Sequence, residues 1–324
     1  MISNYILITL VGGIALSFLL ADPPNRIHPV SWLGKLVNYF MPKLKHKSSL
    51  KKERLKGIVF TLTLTFGISV ASYYFSVALY KIFGIFALLI YSLLVLKFTM
   101  AIFTLERHVN AVTNALQEKN LIDARKKLSY IVGRKTEPLD REHIISATIE
   151  SIGESVVDGI GSPLFYYSLF GPSGAIAYRI INTLDSMIGY TDKYHYEIGW
   201  MAAKLDTISN YLPARLCGLL LVVSAKIVGA DWKNSILVMR MDHNNTPSRN
   251  GGYPMSALAG ALRVRLEKVG FYVLGANIEP LSIEKCNNAL RMVKLSVILF
   301  LVFISIPMVL LLSLIGWWDI LYGF

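Results

Sequence analysis

From Gly57 to Tyr80 the chain runs 24 residues without a charged side chain, and from Leu295 to Trp318 it does so for another 24. A helix needs about 20 predominantly apolar residues to cross a hydrocarbon core of about 30 Å. Segments of this kind commit the chain to a bilayer before any other feature is weighed. Two more qualify. Ile2–Ala21 is uncharged, and Ile82–Leu105 is interrupted only by Lys97, whose stem is long enough to snorkel to the nearer interface. No basic stretch precedes Ile2–Ala21, so it does not resemble a cleaved signal peptide. The last span tolerates Pro307 as a kink and closes on the interfacial pair Trp317–Trp318. Composition agrees: 17% of residues are charged, against about 25% in a soluble domain. Four spans are predicted.

Two central apolar stretches are of a different kind. Gly159–Tyr178 is uncharged but carries Gly159, Gly161, Pro163, Gly171, Pro172 and Gly174, which predicts two short helices meeting at a Gly-Pro-Ser-Gly break. Leu216–Ala225 is only ten residues between Arg215 and Lys226, a length typical of re-entrant or interfacial segments. The predicted fold class is therefore all-α: a polytopic helical membrane protein with four spans and two broken or re-entrant segments. No alternating strand pattern and no internal repeat is apparent.

Charge sets the orientation. The formal charge of +12 would suggest nucleic acid in a soluble chain, but here the bias toward cytoplasmic Lys and Arg explains it. Between Asp22 and Lys56 nine basic residues face only Asp22 and Glu53, which places this loop in the cytoplasm and both termini outside a cell membrane. Three regions follow: a membrane domain over 1–105, a largely cytoplasmic or re-entrant catalytic region over 106–294, and the last span over 295–324. Within the middle region, Glu106–Val132 has helical spacing of apolar residues, and Asp140 has the character of a helix N-cap. Lys43–Lys56 is expected to be the most mobile segment. Two cysteines exclude a disulfide scaffold.

Four constellations carry possible chemistry. Glu150, Glu154 and Asp158 recur every four residues, and steps of about 40° on a helix keep them on one face. A solvated acidic face would have the same spacing. No Lys or Arg lies between Arg141 and Arg179, however, and the face runs into the Gly-Pro break, so a transient Mg²⁺ carried with nucleotide phosphates is a reasonable occupant. The second constellation spans residues 178–216. Arg179 and Asn182 share a face there with Asp185 beside it, and Asp192, Asp206, Asn210 and Arg215 continue the polar pattern. In the third, Asp242, His243, Ser248, Arg249, Asn250, Gly251 and Gly252 form a polar loop leading into a small-residue helix, an arrangement suited to anions and equally to an ordinary turn. The fourth is Asp22-Pro23-Pro24 with His28-Pro29. The six histidines have no ligand spacing, and the nucleotide-loop, dinucleotide-fold, zinc-protease and serine-hydrolase motifs are all absent from the sequence.

The tracts DPPNRIHPVSWLGKL, IESIGESVVDGIGSPLF, AYRIINTLDSMIGY, GWMAAKLDTISNYLPARL and SRNGGYPMSALAGALRVRL resemble, in order and between residues 22 and 266, the successive motifs of the CobD/CbiB membrane proteins of cobalamin biosynthesis. The family's AENTSDG stands here as GESVVDG, so Ser155, Val156 and Val157 depart from it while Glu154 and Asp158 remain. The resemblance implies an adenosylcobinamide-phosphate synthase, which joins adenosylcobyric acid to aminopropanol or its O-phosphate. Such a condensation is uphill in water and calls for ATP. On this reading Glu150, Glu154 and Asp158 hold Mg²⁺ and orient ATP. Arg179 and Arg215 neutralise phosphate, and Asn182, Asp185 and Asp192 position the amine. Arg249, Asn250 and the Gly251–Gly252 turn hold the aminopropanol phosphate, and Asp22, His28, Asp206, His243 and Ser248 line the substrates. No tightly bound prosthetic group is expected. The implied partners are those substrates, membrane lipid and other membrane enzymes of the corrinoid pathway, with no nucleic acid. The rival readings are a corrinoid-binding or transport protein without catalysis, suggested by the broken helix, and a membrane scaffold for the pathway.

Overall fold

The protein is described by a computed structural model covering residues 2–24, 26–45 and 49–322. It is helical, as predicted, apart from one small hairpin that the sequence reading missed. Leu266–Lys268 pairs antiparallel with Tyr272–Leu274, with Leu266 opposite Leu274 and Gly270 at φ 78° in the turn. The chain forms two compact units: Met1–Met100 with Ser162–Asn210 and Ile304–Phe324, and Ala101–Gly161 with Tyr211–Phe303.

In the first unit the predicted helical hairpin is present. Leu50–Thr99 is one helical run, yet Ser72 Oγ and Tyr91 Oη lie 2.8 Å apart, and the Phe75 and Tyr91 rings are 5.1 Å apart. Nineteen residues of straight helix would separate them by about 28 Å, so the run doubles back. It does so at Gly84, whose φ of 78° and ψ of −171° belong to a region that only glycine occupies readily. The turn falls three residues beyond the predicted Lys81.

Ser162–Ile188 behaves in the same way. Tyr166 and Tyr178 stack at 5.5 Å, although twelve residues of straight helix would hold them about 18 Å apart. The reversal is at Gly171, with φ 65° and ψ −150°, followed by Pro172. This is the predicted Gly-Pro-Ser-Gly break, and it makes the segment a short helical hairpin. Both turns work for the same reason: a side chain at either glycine would be strained by its backbone angles alone.

The span count is a correction. Two helical stretches, Leu50–Gln117 and Ile283–Leu314, are long and apolar enough to cross a membrane, and a third arises only if Trp200–Ser209 and Tyr211–Ile227, bent by 45°, count together. The second and third predicted spans are both contained in the first of these stretches. The first predicted span is a helix over Ile2–Leu19, within which Asn4–Leu19 counts as a shorter apolar helix, and the chain leaves helix at Leu20 on its way to Pro23 and Pro24. Lys97 has protein partners at the end of the first helix. It is nearly buried, and its Nζ donates to Asp22 Oδ1 at 2.5 Å and to the Leu20 carbonyl at 2.7 Å.

The basic loop contains a helix, Pro29–Lys45, whose Val37 and Met41 pack on Ile180, Leu184, Ile188, Ile198 and Ala202. Of the segment expected to be mobile, residues up to Lys45 and from Leu50 onward are helical, while His46, Lys47 and Ser48 lie outside the described residues.

In the second unit the predicted Glu106–Val132 helix is two, Ile102–Gln117 and Leu121–Leu128. They are separated at Lys119, φ 58°, and the second is capped by Asn120 accepting from the Asp123 N–H. Asp140 caps Arg141–Val156 as predicted, accepting from the His143 N–H at 2.9 Å.

Candidate active site

The predicted site residues fall into two clusters, one in each unit. In the first unit a chain of hydrogen bonds links four of the motif residues. Arg179 donates to Asn182 Oδ1 at 3.3 Å, Asn182 bonds Asp206, and Asn210 Nδ2 donates to Asp206 Oδ2 at 3.0 Å. Asn210 Oδ1 in turn accepts from Ser162 Oγ at 2.6 Å and Tyr178 Oη at 2.9 Å. Two donors on its oxygen fix the amide so that its N–H₂ faces Asp206. Asp185 stands half-buried near this chain; burial first, and then the Asp206 charge, raise its carboxyl to about 7. A carboxylate tuned to the working pH is suited to moving a proton.

His28 interacts with Arg179, Asp22 and Lys97; burial and then the Arg179 charge hold its imidazole below the ordinary range, which leaves it neutral at pH 7. Asp22 is taken by Lys97, as described above. Arg179 is also the one charged residue lining an otherwise apolar cavity of about 320 Å³ walled by Leu33, Tyr91, Phe98 and Ile176. Asp192 serves its own turn. It accepts from the Tyr194 and His195 N–H groups and pairs with the His195 ring at 2.7 Å.

In the second unit Glu150 is buried and fully engaged. Arg134 donates to both carboxylate oxygens at 3.2 and 3.3 Å, Ser146 Oγ donates at 2.8 Å, and Tyr272 Oη donates at 2.8 Å from the hairpin. The sequence reading found no cation between Arg141 and Arg179, but the neutralising one comes from Arg134, just outside that window. Glu154 is different. Its side chain reaches solvent, yet the crowding of protein around it and the Glu150 charge push its carboxyl up, with Lys268 and Arg134 opposing. It lies against the start of the Arg249–Leu262 helix, where a Cβ built on Gly251 would be 3.6 Å from Glu154 Cγ.

Asp158 occupies a π-helical turn, Val157–Gly161. This interrupts the 100° step on which a shared three-carboxylate face depends, and π turns of this kind recur at functional sites. Asp158 interacts electrostatically with Cys217. Among the described residues no group of three His, Cys, Asp or Glu side chains is arranged to hold a metal ion. With Glu150 engaged by Arg134 and Asp158 carried off the helical step by the π turn, the three carboxylates do not form a protein cage for an ion.

The third constellation is corrected in one respect. Arg249, Asn250, Gly251 and Gly252 do not precede the helix; they are its first turn, with Ser248 as N-cap accepting from the Gly251 N–H at 3.3 Å. Arg249 is exposed and Asn250 buried. Gly252 is needed for close approach, since a Cβ there would lie 2.0 Å from the His243 carbonyl oxygen. His243 bonds the Met239 carbonyl and lies on the Tyr253 ring at 4.3 Å, while Arg215 covers Tyr211 at 3.5 Å and Tyr253 at 4.6 Å. Arg134, Tyr272 and Lys268 were missed. Alternating Val264, Leu266, Tyr272 and Leu274 around Gly270 was the available signal for the hairpin that brings two of them in.

The family model described as CobD/Cbib protein matches residues 10–302. A probable cobalamin biosynthesis protein CobD of Methanothermobacter thermautotrophicus is 38% identical over 291 residues, 90% of this chain and 94% of that one. The cobalamin biosynthesis protein CobD of Leptospira interrogans is 37% identical over 306 residues, 90% of this chain and 95% of the relative. A probable CobD of Methanocaldococcus jannaschii is 35% identical over 286 residues, covering 88% and 92%. No solved structure matches. With nearly the whole chain matched, and with its motif residues gathered into two polar clusters, this protein belongs to the CobD/CbiB family of cobalamin biosynthesis.

Proposed function

We propose that the chain catalyses ATP-dependent amide formation between adenosylcobyric acid and aminopropanol, or its O-phosphate, giving adenosylcobinamide or its phosphate. Family membership supports the pathway, and what carries the chemistry is the setting of Asp185, half-buried near Asp206 and the Arg179–Asn182 pair, where burial and then the Asp206 charge push its carboxyl up to about 7. An alkyl ammonium must lose a proton before it attacks an activated acyl group. In this reading Asp185 accepts that proton and Arg179 offsets the charge of the acyl or phosphoryl oxygen. Within the second unit, Glu154 and Asp158 are assigned to the ion carried by the nucleotide, and Glu150, locked by Arg134, positions their helix. ATP supplies the driving force when bound. The broken helix at Gly171 is what favours the rival reading, a corrinoid-binding or transport protein. Complementation separates the two. A cobalamin-requiring host lacking its own family member should grow on cobyric acid when it carries this chain, and a transporter would leave it growing only on cobinamide.

Two expected results belong to this proposal. The rate at saturating substrate should rise with pH through an ionisation near 7, because Asp185 works as its deprotonated form. Asp206→Asn should move that inflection to lower pH by removing the like charge, and Asp185→Asn should abolish it. A profile unchanged in both variants would remove the base assignment. Arg249 sits at a helix N-terminus with an exposed guanidinium, which suits a compact phosphate. Arg249→Ala should therefore raise the KM for aminopropanol phosphate roughly tenfold, about 1.4 kcal/mol, with little change for the corrinoid or for unphosphorylated aminopropanol.

We also place the chain as a multi-pass protein of the cell membrane with both termini outside and the basic segment 43–56 in the cytoplasm, on the charge bias described above. Single cysteines at Lys51 and at Asn4 should label from the cytoplasmic and outer faces respectively; the reverse pattern would invert the orientation.

A further inference from the structure

The Pro29–Lys45 helix divides into three sectors when residues are placed at 100° steps. Val37, Met41 and Leu44 point into the core of the first unit. Trp32, Leu36, Tyr39 and Lys43 fall within about 60° of one another, and all four are exposed. Between these sectors, on one flank, lie Ser31, Lys35, Asn38 and Pro42. A globular helix needs one apolar face; this one has a second, aromatic face that stays largely exposed among the described residues, its Trp32 Nε1 donating to the Arg26 carbonyl at 2.8 Å.

The surroundings of that face are basic and aromatic. Lys43 Nζ sits 3.6 Å over the Tyr39 ring, Lys45 4.0 Å over Tyr194, and the Arg54 guanidinium 4.1 Å over Trp200. Lys45 and Arg54 also have acidic partners in Glu53 and Glu197. Lys35, Lys51 and Lys52 are exposed, and no ion pair engages them among the described residues. The apolar run of the long hairpin begins at Gly57, directly after these cations. Aromatic rings beside a lysine row at the start of an apolar helix are the chemistry of the membrane–water boundary, and unpaired lysines there complement anionic headgroups.

We propose that the Pro29–Lys45 helix lies in the cytoplasmic membrane interface. Its Trp32–Leu36–Tyr39 stripe is set among acyl chains, its Asn38 flank faces water, and Lys35, Lys43, Lys51 and Lys52 hold anionic phospholipid headgroups. The occupant is lipid because the stripe is both apolar and flanked by cations. A protein partner for the same face is an outcome that the experiment below excludes or reveals. The inference is independent of the proposed reaction.

The test uses the full chain in nanodiscs. Cys217 and Cys286 are buried, so a polarity-sensitive dye can be attached selectively at Leu36→Cys or Asn38→Cys, two surface positions on different sectors. Nitroxide-bearing lipid should quench the dye at Leu36 at least threefold more than at Asn38. Equal quenching at both sites, or a water-like spectrum at Leu36, overturns the placement. In native mass spectrometry the chain should retain phosphatidylglycerol over phosphatidylcholine. Replacing Lys35, Lys43, Lys51 and Lys52 together by Gln should reduce that preference at least fivefold while leaving Leu36 quenching in place. Unchanged preference in the quadruple variant overturns the headgroup assignment.

Discussion

Replacing Arg134 by alanine is expected to destabilise the second unit by about 3–5 kcal/mol, the usual consequence of leaving a buried charge without its partner. Glu150 is only 4% exposed, and Arg134 is the cation on it, with Ser146 and Tyr272 completing its hydrogen bonds. Burial and the Glu150 charge push the Tyr272 hydroxyl up, so it remains a donor at any working pH. Those two hydroxyls are retained in Arg134→Ala, but neutral donors do not neutralise a carboxylate. The pair should behave as a unit. Arg134→Met combined with Glu150→Leu should recover most of the stability, since removing both charges removes the desolvation cost with them. Chemical unfolding in detergent, followed by tryptophan fluorescence, measures the cycle. If Arg134→Ala costs less than about 1 kcal/mol, typical of an exposed pair, Glu150 is not held as described.

Glu154→Gln should have the opposite signature: a folded protein with amide formation reduced roughly 100-fold or more, about 2.7 kcal/mol of lost transition-state stabilisation. Glu154 is one turn from Glu150, but its side chain reaches solvent beside the helix that begins at Arg249. Among the described residues no ion pair or side-chain hydrogen bond engages its carboxylate, and Lys268 and Arg134 act on it only at longer range. Two neighbouring glutamates of one helix are thus assigned different work, and the contrast is measurable. Glu150→Gln should lower unfolding stability while the folded fraction keeps most of its specific activity; Glu154→Gln should do the reverse. Matching profiles for the two variants would return them to a single shared role and end the division proposed here.

What the sequence made legible was governed by local rules. The reversal near Lys81 follows from two uncharged runs meeting at a charge, the break at Gly171-Pro172 from residues with special backbone freedom or restriction, and the Asp140 cap from a free acceptor; all are present. What it concealed depends on distant partners. The partner of Lys97, Asp22, lies 75 residues away in the chain. The acidic face reads as unneutralised until Arg134 and the 266–274 hairpin close on Glu150. The count of four spans differs because Gly57–Tyr80 and Ile82–Leu105 fall within one helical run that reverses at Gly84, and because the first helix, Ile2–Leu19, is two residues shorter than predicted. The joining of Arg179, Asn182, Asp206 and Asn210 lay between these cases. Their helical spacing was visible, but the role of Asn210 in orienting Asp206 depends on Ser162 and Tyr178, which come from two other motif tracts and meet Asn210 only in the fold.

The central claim is that this chain makes an amide bond, and mass spectrometry of the corrinoid tests it most directly. Detergent-purified protein incubated with adenosylcobyric acid, aminopropanol phosphate and Mg-ATP should convert the corrinoid to a species heavier by the amine less one water. The product should require every component and be absent with Glu154→Gln. Corrinoid recovered bound to the protein but unchanged in mass, with either amine and with nucleotide present, would contradict the account and leave a binding or transport protein in its place.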